Sequence, residues 1–360
     1  MKPQQHIAPP NIGSEAQSAL LHHRRRERKK ILMLGVFFLL SIVFLVADIL
    51  IGSQGLTLSQ VLNGIFYAKN SDLATQIIIW DIRMPMSLMA PFVGAALALA
   101  GAQMQTTLNN SLADPYTFGV SAAAGFGAAL VIMNIVVIPF IPMEYQIATM
   151  AFIMCLLTTL LIAGISSMKR ISIEGVMLFG VAIMFAYDGM LTMMQYSASE
   201  TQLQTLVFWQ MGSLDRGSWQ KIIVLAILIP SVLVIMMKDS WKLSSLKIGQ
   251  DRAESMGINV NRLRNKTLLL VSLITSISVA FVGAIGFVGL VAPHIARMIL
   301  GEDQRYFLPA SALLGAVLLE VASIASKSIM PGLILPLTVM MSIIGVPFFI
   351  YLIIKKGGRF

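Results

Sequence analysis

The sequence has little cysteine, histidine or charge, and each shortage excludes a class of site. Its one cysteine, Cys155, lies in an apolar run, so neither a disulfide framework nor a cysteine-based metal site is available. Three of its four histidines precede residue 24, which leaves His294 alone near a long apolar run and excludes a histidine metal site. The sequence contains no G-x-x-x-x-G-K-S/T loop for nucleotide phosphates and no evident nucleophile–base pair, so we expect no enzymatic activity in this chain.

Charged residues make up only 12% of the 360 residues, whereas 57% are hydrophobic. Soluble proteins carry about 25% charged residues. A membrane-spanning helix needs about 20 mostly apolar residues. The composition therefore predicts an all-α polytopic membrane protein. The net charge of +9 is spread among the loops between apolar runs, which favours membrane orientation over nucleic-acid binding.

The N-terminal region calls for a separate interpretation. Residues 1–30 form a basic tail that ends in HHRRRERKK, and we expect this tail to be cytoplasmic and without fixed structure. The apolar run that follows, 31–51, is longer than the h-region of about 7–15 residues in a cleaved signal peptide. It therefore predicts a retained first span. We expect residues 31–356 to form a single transmembrane domain, followed by a cytoplasmic tail, 357–360.

Ten apolar runs predict about ten transmembrane helices. The runs are 31–51, 87–108, 117–138, 147–168, 174–196, 219–237, 266–282, 285–300, 307–328 and 335–354. With ten crossings and a cytoplasmic N-terminus, 21 of the 26 Lys and Arg residues lie on the cytoplasmic side. A single crossing over 267–300 would reduce that number to 16, which is weaker evidence of orientation. We therefore predict two crossings there, a sharp turn near Gly283–Gly286, and both termini in the cytoplasm.

Small residues recur every third or fourth position in the stretch Gly283–Arg305, GAIGFVGLVAPHIARMILGEDQR. This spacing allows two helix backbones to approach closely within a membrane. Pro293, His294 and Arg297 mark the point where the helix reaches water on the basic side.

The longest polar stretch, 238–266, is predicted to be cytoplasmic. It contains KIGQDRAESMGINVNRLR, in which apolar residues alternate with charged ones. We expect Gly257 to divide it into two short helices at the membrane surface, suited to docking a cytoplasmic partner. The alternative is a solvated connecting loop.

Ionisable residues inside apolar runs are costly in lipid and mark function or structure. Asp48 is expected to reach the outer interface, and Lys327 to emerge at the outer surface. Asp188 and Glu320 lie deeper, where we expect them to face the bundle interior or a water-filled path. Structural polarity, direct contact with solute and proton coupling all remain open for these two acids.

Six ordered sequence blocks carry a resemblance that runs from about Thr57 to Lys356. They are RMPMSLMAPFVGAALALAGAQMQ (Arg83–Gln105), Asn110 with LADP and GVS (110–121), WQMGSLDRGSW (Trp209–Trp219), GQDRAESMGI (Gly249–Ile258), GFVGLVAPHIAR (286–297) and GVPFFIYLI (Gly345–Ile353). In this order they resemble the permeases of ABC importers for iron chelates, haem and cobalamin, the FecCD family.

The resemblance implies a type II ABC importer permease-like bundle in the inner membrane. It also implies a second permease subunit, identical or homologous, a cytoplasmic ABC ATPase dimer that binds ATP and magnesium, and a periplasmic substrate-binding protein. The chain itself would be in contact with membrane lipid and would hold no metal or cofactor.

The resemblance also implies roles for particular residues. A cytoplasmic coupling segment, 241–262, would contact the ATPase through Gly249, Ala253, Met256, Gly257 and Ile258. Arg83 would dock the binding protein together with Lys327, which stands where the family has a later arginine; the alternative is that docking depends on Arg216 and Lys221. Met86 departs from the family pattern, in which a second arginine follows the first. The translocation path would run along 174–211 and 335–350, with Tyr187, Asp188, Gln195 and Glu320 as its polar residues.

The leading hypothesis is a permease that imports a metal chelate, with a ferric siderophore as the first candidate, by alternating access. A cobalamin or haem permease is the alternative within the same class. A proton-coupled secondary carrier would use Asp188 or Glu320, but the two halves of the chain show no convincing repeat. A membrane receptor or scaffold without transport is the third hypothesis.

Overall fold

In a computed structural model of the protein, residues 12–52, 56–67, 72–166, 168, 171–330 and 332–356 are described, and they form helices and no strand. The helices are α1 (Ile12–Leu50), α2 (Leu58–Phe66), α3 (Leu73–Ile77), α4 (Met84–Thr107), α5 (Val120–Ile132), α6 (Met143–Ser166), α7 (Ile173–Ser197), α8 (Glu200–Gln210), α9 (Trp219–Lys238), α10 (Ser240–Leu246), α11 (Gln250–Ser255), α12 (Val260–Val282), α13 (Val288–Leu300), α14 (Gln304–Ser328) and α15 (Leu337–Lys356). The all-α class is confirmed.

Within the described residues, seven helical stretches are long and apolar enough to cross a membrane. Three shorter apolar stretches lie between or after them: α5, α13 and residues Leu337–Tyr351 of α15. Each predicted apolar run falls on one of these helices. That all ten cross the bilayer, with both termini in the cytoplasm, remains a prediction.

The first helix begins at Ile12, so residues 12–30 are helical where the sequence predicts a tail without fixed structure. Arg, Lys and Glu are good helix formers, and the basic run continues the helix of the first span. Two contacts attach this extension to the start of α14: Lys30 lies 5.0 Å from the centre of the Tyr306 ring, and Glu27 lies 4.0 Å from Arg305. Residues 1–11 and 357–360 lie outside the described residues.

Helix α4 lies at the centre of the bundle, packed against α12, α13 and α14. Two glycine pairs set its distance from its neighbours. A Cβ atom on Gly94 would collide with the Gly315 carbonyl of α14, and a Cβ atom on Gly101 would collide with the Gly289 backbone of α13. The close approach predicted for the glycine-rich stretch is therefore present at Gly289.

A buried turn separates α12 from α13. Gly283 and Phe287 both have positive φ angles, 83° and 68°, and residues 283–286 are largely buried. The Ser213 N–H donates to the Val282 carbonyl, 2.7 Å away, which holds the end of α12. The predicted turn is confirmed, although α13 begins three residues later than the predicted run.

Two short helices, α2 and α3, were not predicted from the sequence. The Thr57 side chain caps α2 in a reciprocal arrangement with Gln60, a signal visible in the sequence as T-x-x-Q. Trp80 follows α3 and stacks on Trp219, with ring centroids 6.3 Å apart. The Trp219 indole N–H donates to the Trp80 carbonyl, so this pair ties the segment before α4 to the start of α9.

A buried ion pair joins α1 to α14. Lys327 Nζ lies 3.0 Å from Asp48 Oδ2, and the two side chains are 3% and 0% exposed. The same amino group contacts Ser87 Oγ on α4, and Ser323 Oγ donates to Asp48 Oδ2 over 3.1 Å. The predictions that Asp48 reaches the interface and that Lys327 emerges at the outer surface were therefore wrong. The two charges stabilise each other inside the protein, so neither side chain extends to water.

We predict that Lys327→Met destabilises the protein by about 3–5 kcal/mol, because it leaves the Asp48 carboxylate buried without its partner. Thermal unfolding in detergent should show a clear drop in melting temperature. Asp48→Asn combined with Lys327→Met should recover much of the loss, whereas Lys355→Met, at an exposed lysine of α15, should change little. A Lys327→Met variant as stable as the unmodified protein would contradict this role of the pair.

Candidate functional site

The coupling segment, 241–262, folds around two short helices, α10 and α11. Gly249 separates them with a φ angle of 128°, and Gly257 follows α11 with a φ angle of 79°. The sequence placed the break between two short helices at Gly257. The structure places it at Gly249, because the residues after Gly257 belong to the long helix α12 and the second short helix, α10, lies upstream.

The two short helices share a small hydrophobic core of their own with the start of α12. Its members are all buried: Leu243, Leu246, Ala253, Ile258, Val260 and Leu263. Ala253 and Ile258 therefore hold the segment together from within. Three other apolar side chains remain more than half exposed, namely Trp241 (53%), Ile248 (55%) and Met256 (55%). These exposed apolar side chains are available for burial by a partner.

Ionic contacts connect the coupling segment to the ends of the membrane helices. Asp239, between α9 and α10, accepts hydrogen bonds from Lys242 and from Lys266 of α12. Burial raises the pKa of the Asp239 carboxyl, but these two lysines lower it by more, so its net shift is downward. The carboxylate therefore stays charged, and the contact between the segment and α12 persists, at neutral pH.

A second set of contacts reaches α13 and α14. Glu302, in the turn between them, lies 3.6 Å from Lys247 Nζ and 3.3 Å from Arg297 Nε. The Gln304 N–H at the start of α14 donates to Ser244 Oγ of α10. Arg297 also donates to Gln105 of α4 over 3.2 Å. The coupling segment is thus connected to α12, α13 and α14, and through Arg297 to the end of α4.

Clefts flank the coupling segment on several sides. One of about 670 Å³ lies between it and the α6–α7 connection and is lined by Gln250, Glu254 and Arg264. Another, of about 570 Å³, lies between α10 and Glu302 and is lined by the exposed Trp241 and Ile248. Clefts and exposed apolar side chains therefore occur together at this end of the bundle, a combination that fits docking of another protein.

A second candidate region is the open face of α7. Asp188, Thr192 and Gln195 recur at intervals of four and three residues and so share one helix face. Asp188 and Thr192 are exposed, and the Asp188 carboxylate has no hydrogen-bond or ion-pair partner among the described residues. Tyr187 points elsewhere: its hydroxyl accepts a hydrogen bond from Thr158 Oγ1 of α6, 3.0 Å away.

Glu320 lies apart from this face of α7. It is fully buried between α14 and α1, where Ser41 Oγ donates to its Oε1 over 2.9 Å. The sequence grouped Glu320 with Tyr187, Asp188 and Gln195, but the structure brings together only Asp188 and Gln195 on one face. Glu320 belongs to the α1–α14 contact.

The three residues predicted to dock a binding protein differ in accessibility. Arg83 and Lys327 are buried, with 3% and 5% of their surfaces exposed, and Arg83 donates to the Leu50 carbonyl over 3.3 Å. Arg216 is partly exposed, donates to the Phe208 carbonyl, and lies over the Trp209 ring. A docking role for the guanidinium of Arg83 or the amine of Lys327 has no accessible surface in this conformation.

Comparison with known proteins identifies the family of this chain. A model of the FecCD transport family matches residues 39–355. The chain belongs to this family. The vitamin B12 import system permease protein BtuC of Vibrio parahaemolyticus is 36% identical over 281 residues, which are 78% of this chain and 84% of BtuC. The Fe(3+)-citrate import system permease protein YfmE of Bacillus subtilis is 34% identical over 287 residues, 78% of this chain and 83% of YfmE.

A solved structure of an ABC transporter of metal-chelate type, in an inward-facing conformation, has a similar fold. It matches with a TM-score of 0.78 at 26% identity and covers 90% of this chain and 99% of its own. This FecCD protein is therefore a multi-pass permease subunit of the inner membrane, and a separate ATPase drives transport.

We predict that Met256→Glu weakens ATPase binding about tenfold, because it puts a charge into the apolar surface that a partner would bury. Co-purification of the ATPase with tagged permease measures the effect. Met330→Glu is the matched control, since Met330 is similarly exposed (51%) after α14, at the other end of the bundle. Equal ATPase recovery from both variants would contradict docking at this surface.

Proposed function

We propose that this FecCD permease imports a ferric siderophore by alternating access, powered by ATPase subunits docked at the coupling segment. A substrate-binding protein delivers the chelate at the opposite face. The two permease subunits enclose a path along α7, α8 and α15. The observation that carries the proposal is the exposed and unpartnered Asp188 in the middle of α7.

A carboxylate at that depth is costly against lipid tails and is normally found facing a bundle interior or a water-filled cavity. Asp188 is the sixteenth residue of the 25-residue α7, which begins at Ile173, and so lies well inside the helix. The face that carries it therefore borders water or a second protein subunit. In the 18-residue apolar window of α7 only 17% of residues are buried within the chain, against 72% in the stretch containing α4. The open face of α7 thus supports a path formed with a second permease.

The chemistry of this face suits a bulky chelate better than a bare metal ion. It offers one carboxylate, an amide and hydroxyl groups among apolar side chains. The described residues contain no group of three or more His, Cys, Asp or Glu side chains that could hold a metal. A metal already wrapped in its chelator needs no such ligands, and the metal-chelate type of the solved structural relative supports the same cargo class.

Cobalamin is the second candidate cargo. The specific observation in its favour is the 36% identity to BtuC, whose name states vitamin B12 import. Cobalamin is likewise a large metal complex with its ligands in place, so the same open face would accommodate it.

We predict that proteoliposomes containing the permease, its ATPase and its binding protein accumulate a ferric hydroxamate only when ATP is supplied. A hydrolysis-deficient ATPase variant should abolish uptake, and a pH gradient without ATP should produce none. Uptake of radiolabelled iron measures both.

Three other outcomes would contradict the proposal in different ways. Uptake driven by the pH gradient alone would indicate a secondary carrier. ATP-driven uptake of cyanocobalamin without any ferric hydroxamate would indicate the second candidate cargo. No uptake of any metal complex, with normal ATPase binding, would indicate a receptor or scaffold.

A further inference from the structure

Except at the C-terminal end of α15, the charged residues of the three helices proposed to line the path, α7, α8 and α15, are acidic. The helices α7, α8 and α15 carry Glu174, Asp188 and Glu200. Their basic residues, Lys355 and Lys356, lie together at the C-terminal end of α15. Helix α5, which packs against α7, has no charged residue at all. The middle of the proposed path is therefore negative, with Asp188 as its source.

The cation closest in sequence to α8 does not offset this charge. Arg216 follows α8 and is held there by the Phe208 carbonyl and the Trp209 ring. Its neighbour in the chain, Asp215, is exposed and carries the opposite charge. The pair lies in the loop that precedes α9, and neither residue lines a cleft with Asp188.

Asp188 also lines a small cleft that reaches into the subunit. The cleft has a volume of about 150 Å³ and is lined by Tyr116, Ser121, Gln210 and Asp188 among small and apolar residues. At ~30 Å³ per water molecule it holds about five waters, or one short polar side arm. The Gln210 Nε2 atom is buried and has no hydrogen-bond partner among the described residues. The cleft thus combines an unpaired carboxylate with an unsatisfied amide.

We propose that the Asp188 cleft is a transit subsite for a cationic or hydrogen-bonding arm of the cargo, so that the path favours neutral and cationic chelates over anionic ones. The inference rests on the proposed function, because it takes the open face of α7 as part of the path. Beyond the proposed function, it specifies which cargo charges the path favours and names Asp188 as the residue that sets this preference.

Simple electrostatics gives the sign and the size of the effect. An acid in a narrow path raises the local concentration of cations and lowers that of anions. One charge at ~8 Å, in surroundings intermediate between protein and water, changes the transit rate of a singly charged cargo about fivefold relative to a neutral one. If both permeases carry the acid, the preference is larger.

Two hydroxamate complexes of iron provide matched probes. Ferrioxamine B carries one positive charge and ferrichrome is neutral, while the metal and its ligand type are the same. The complete importer in proteoliposomes is assayed for initial uptake of each. The ratio of the two rates is then compared between the unmodified permease and Asp188→Asn, so that the preference of the binding protein cancels.

We expect Asp188→Asn to lower the ferrioxamine B to ferrichrome ratio about fivefold and Asp188→Glu to leave it within about twofold. The melting temperature should not change, since the Asp188 carboxylate has no partner to lose. An unchanged ratio in Asp188→Asn overturns the inference. If Asp188→Asn fails to raise the ratio of anionic ferric citrate to ferrichrome uptake, that result overturns the inference too, while the ferric cargo of the proposed function stands.

If cyanocobalamin enters and neither hydroxamate does, the siderophore proposal fails and the charge inference is tested separately. The ratio of aquocobalamin, positively charged at pH 6, to neutral cyanocobalamin then takes the place of the hydroxamate ratio. The same fivefold fall in Asp188→Asn is expected.

A thiol-labelling measurement on the permease tests the negative field near Asp188 without any transported cargo. In Thr192→Cys, one helical turn from Asp188, the new thiol reacts with a cationic or an anionic methanethiosulfonate reagent of similar size. The native Cys155 is buried and does not compete. We expect Asp188→Asn to lower the cationic-to-anionic rate ratio severalfold, and an equal ratio in both backgrounds would refute a negative field on this face.

Discussion

The backbone contact of α4 with α13 and α14 is the constraint on which the rest of the structure depends. Helices in lipid gain nothing from burying apolar surface against each other, so close packing and polar contacts decide which of them adhere. At Gly94–Gly315 and Gly101–Gly289 a single added carbon would collide with the facing backbone. These contacts bind α4, α13 and α14 into one core, which α12 joins by packing against α4, and α7 remains at its edge with an open face.

The polar contacts follow the same division. Two ion pairs belong to the core: Asp48 with Lys327 is buried within it, and Arg297 pairs with the half-exposed Glu302 at the turn between α13 and α14. Glu302 also meets Lys247, so the coupling segment is attached to the core. The exposed acid, Asp188, lies on the open face of α7, outside the core. In the proposed mechanism, the ATPase therefore displaces the core as a unit, and the face of α7 changes its distance from the second permease.

Much of the fold follows from the sequence, because hydrophobic length and glycine spacing are local signals. The apolar runs, the turn at Gly283 and the amphipathic coupling segment were all predicted. Pairings between distant helices were not, since no local pattern shows that Asp48 meets Lys327 or that Glu320 meets Ser41. The position of the break at Gly249 depends on how α10 packs against Ala253 and Ile258, which is also a tertiary effect. The exposure of Asp188 became visible only once the neighbours of α7 were known.

Distances between spin labels in the assembled importer test the central claim, that a rigid core is moved by an external ATPase. One pair joins Leu269 of α12 to Met298 of α13, both exposed on the core, and the other joins Met193 of α7 to the equivalent position of the second permease. On ATP binding, the core pair should change by less than ~2 Å and the α7 pair by more than ~5 Å. A core pair that changes as much as the α7 pair, or an α7 distance that changes without the ATPase, would contradict the account.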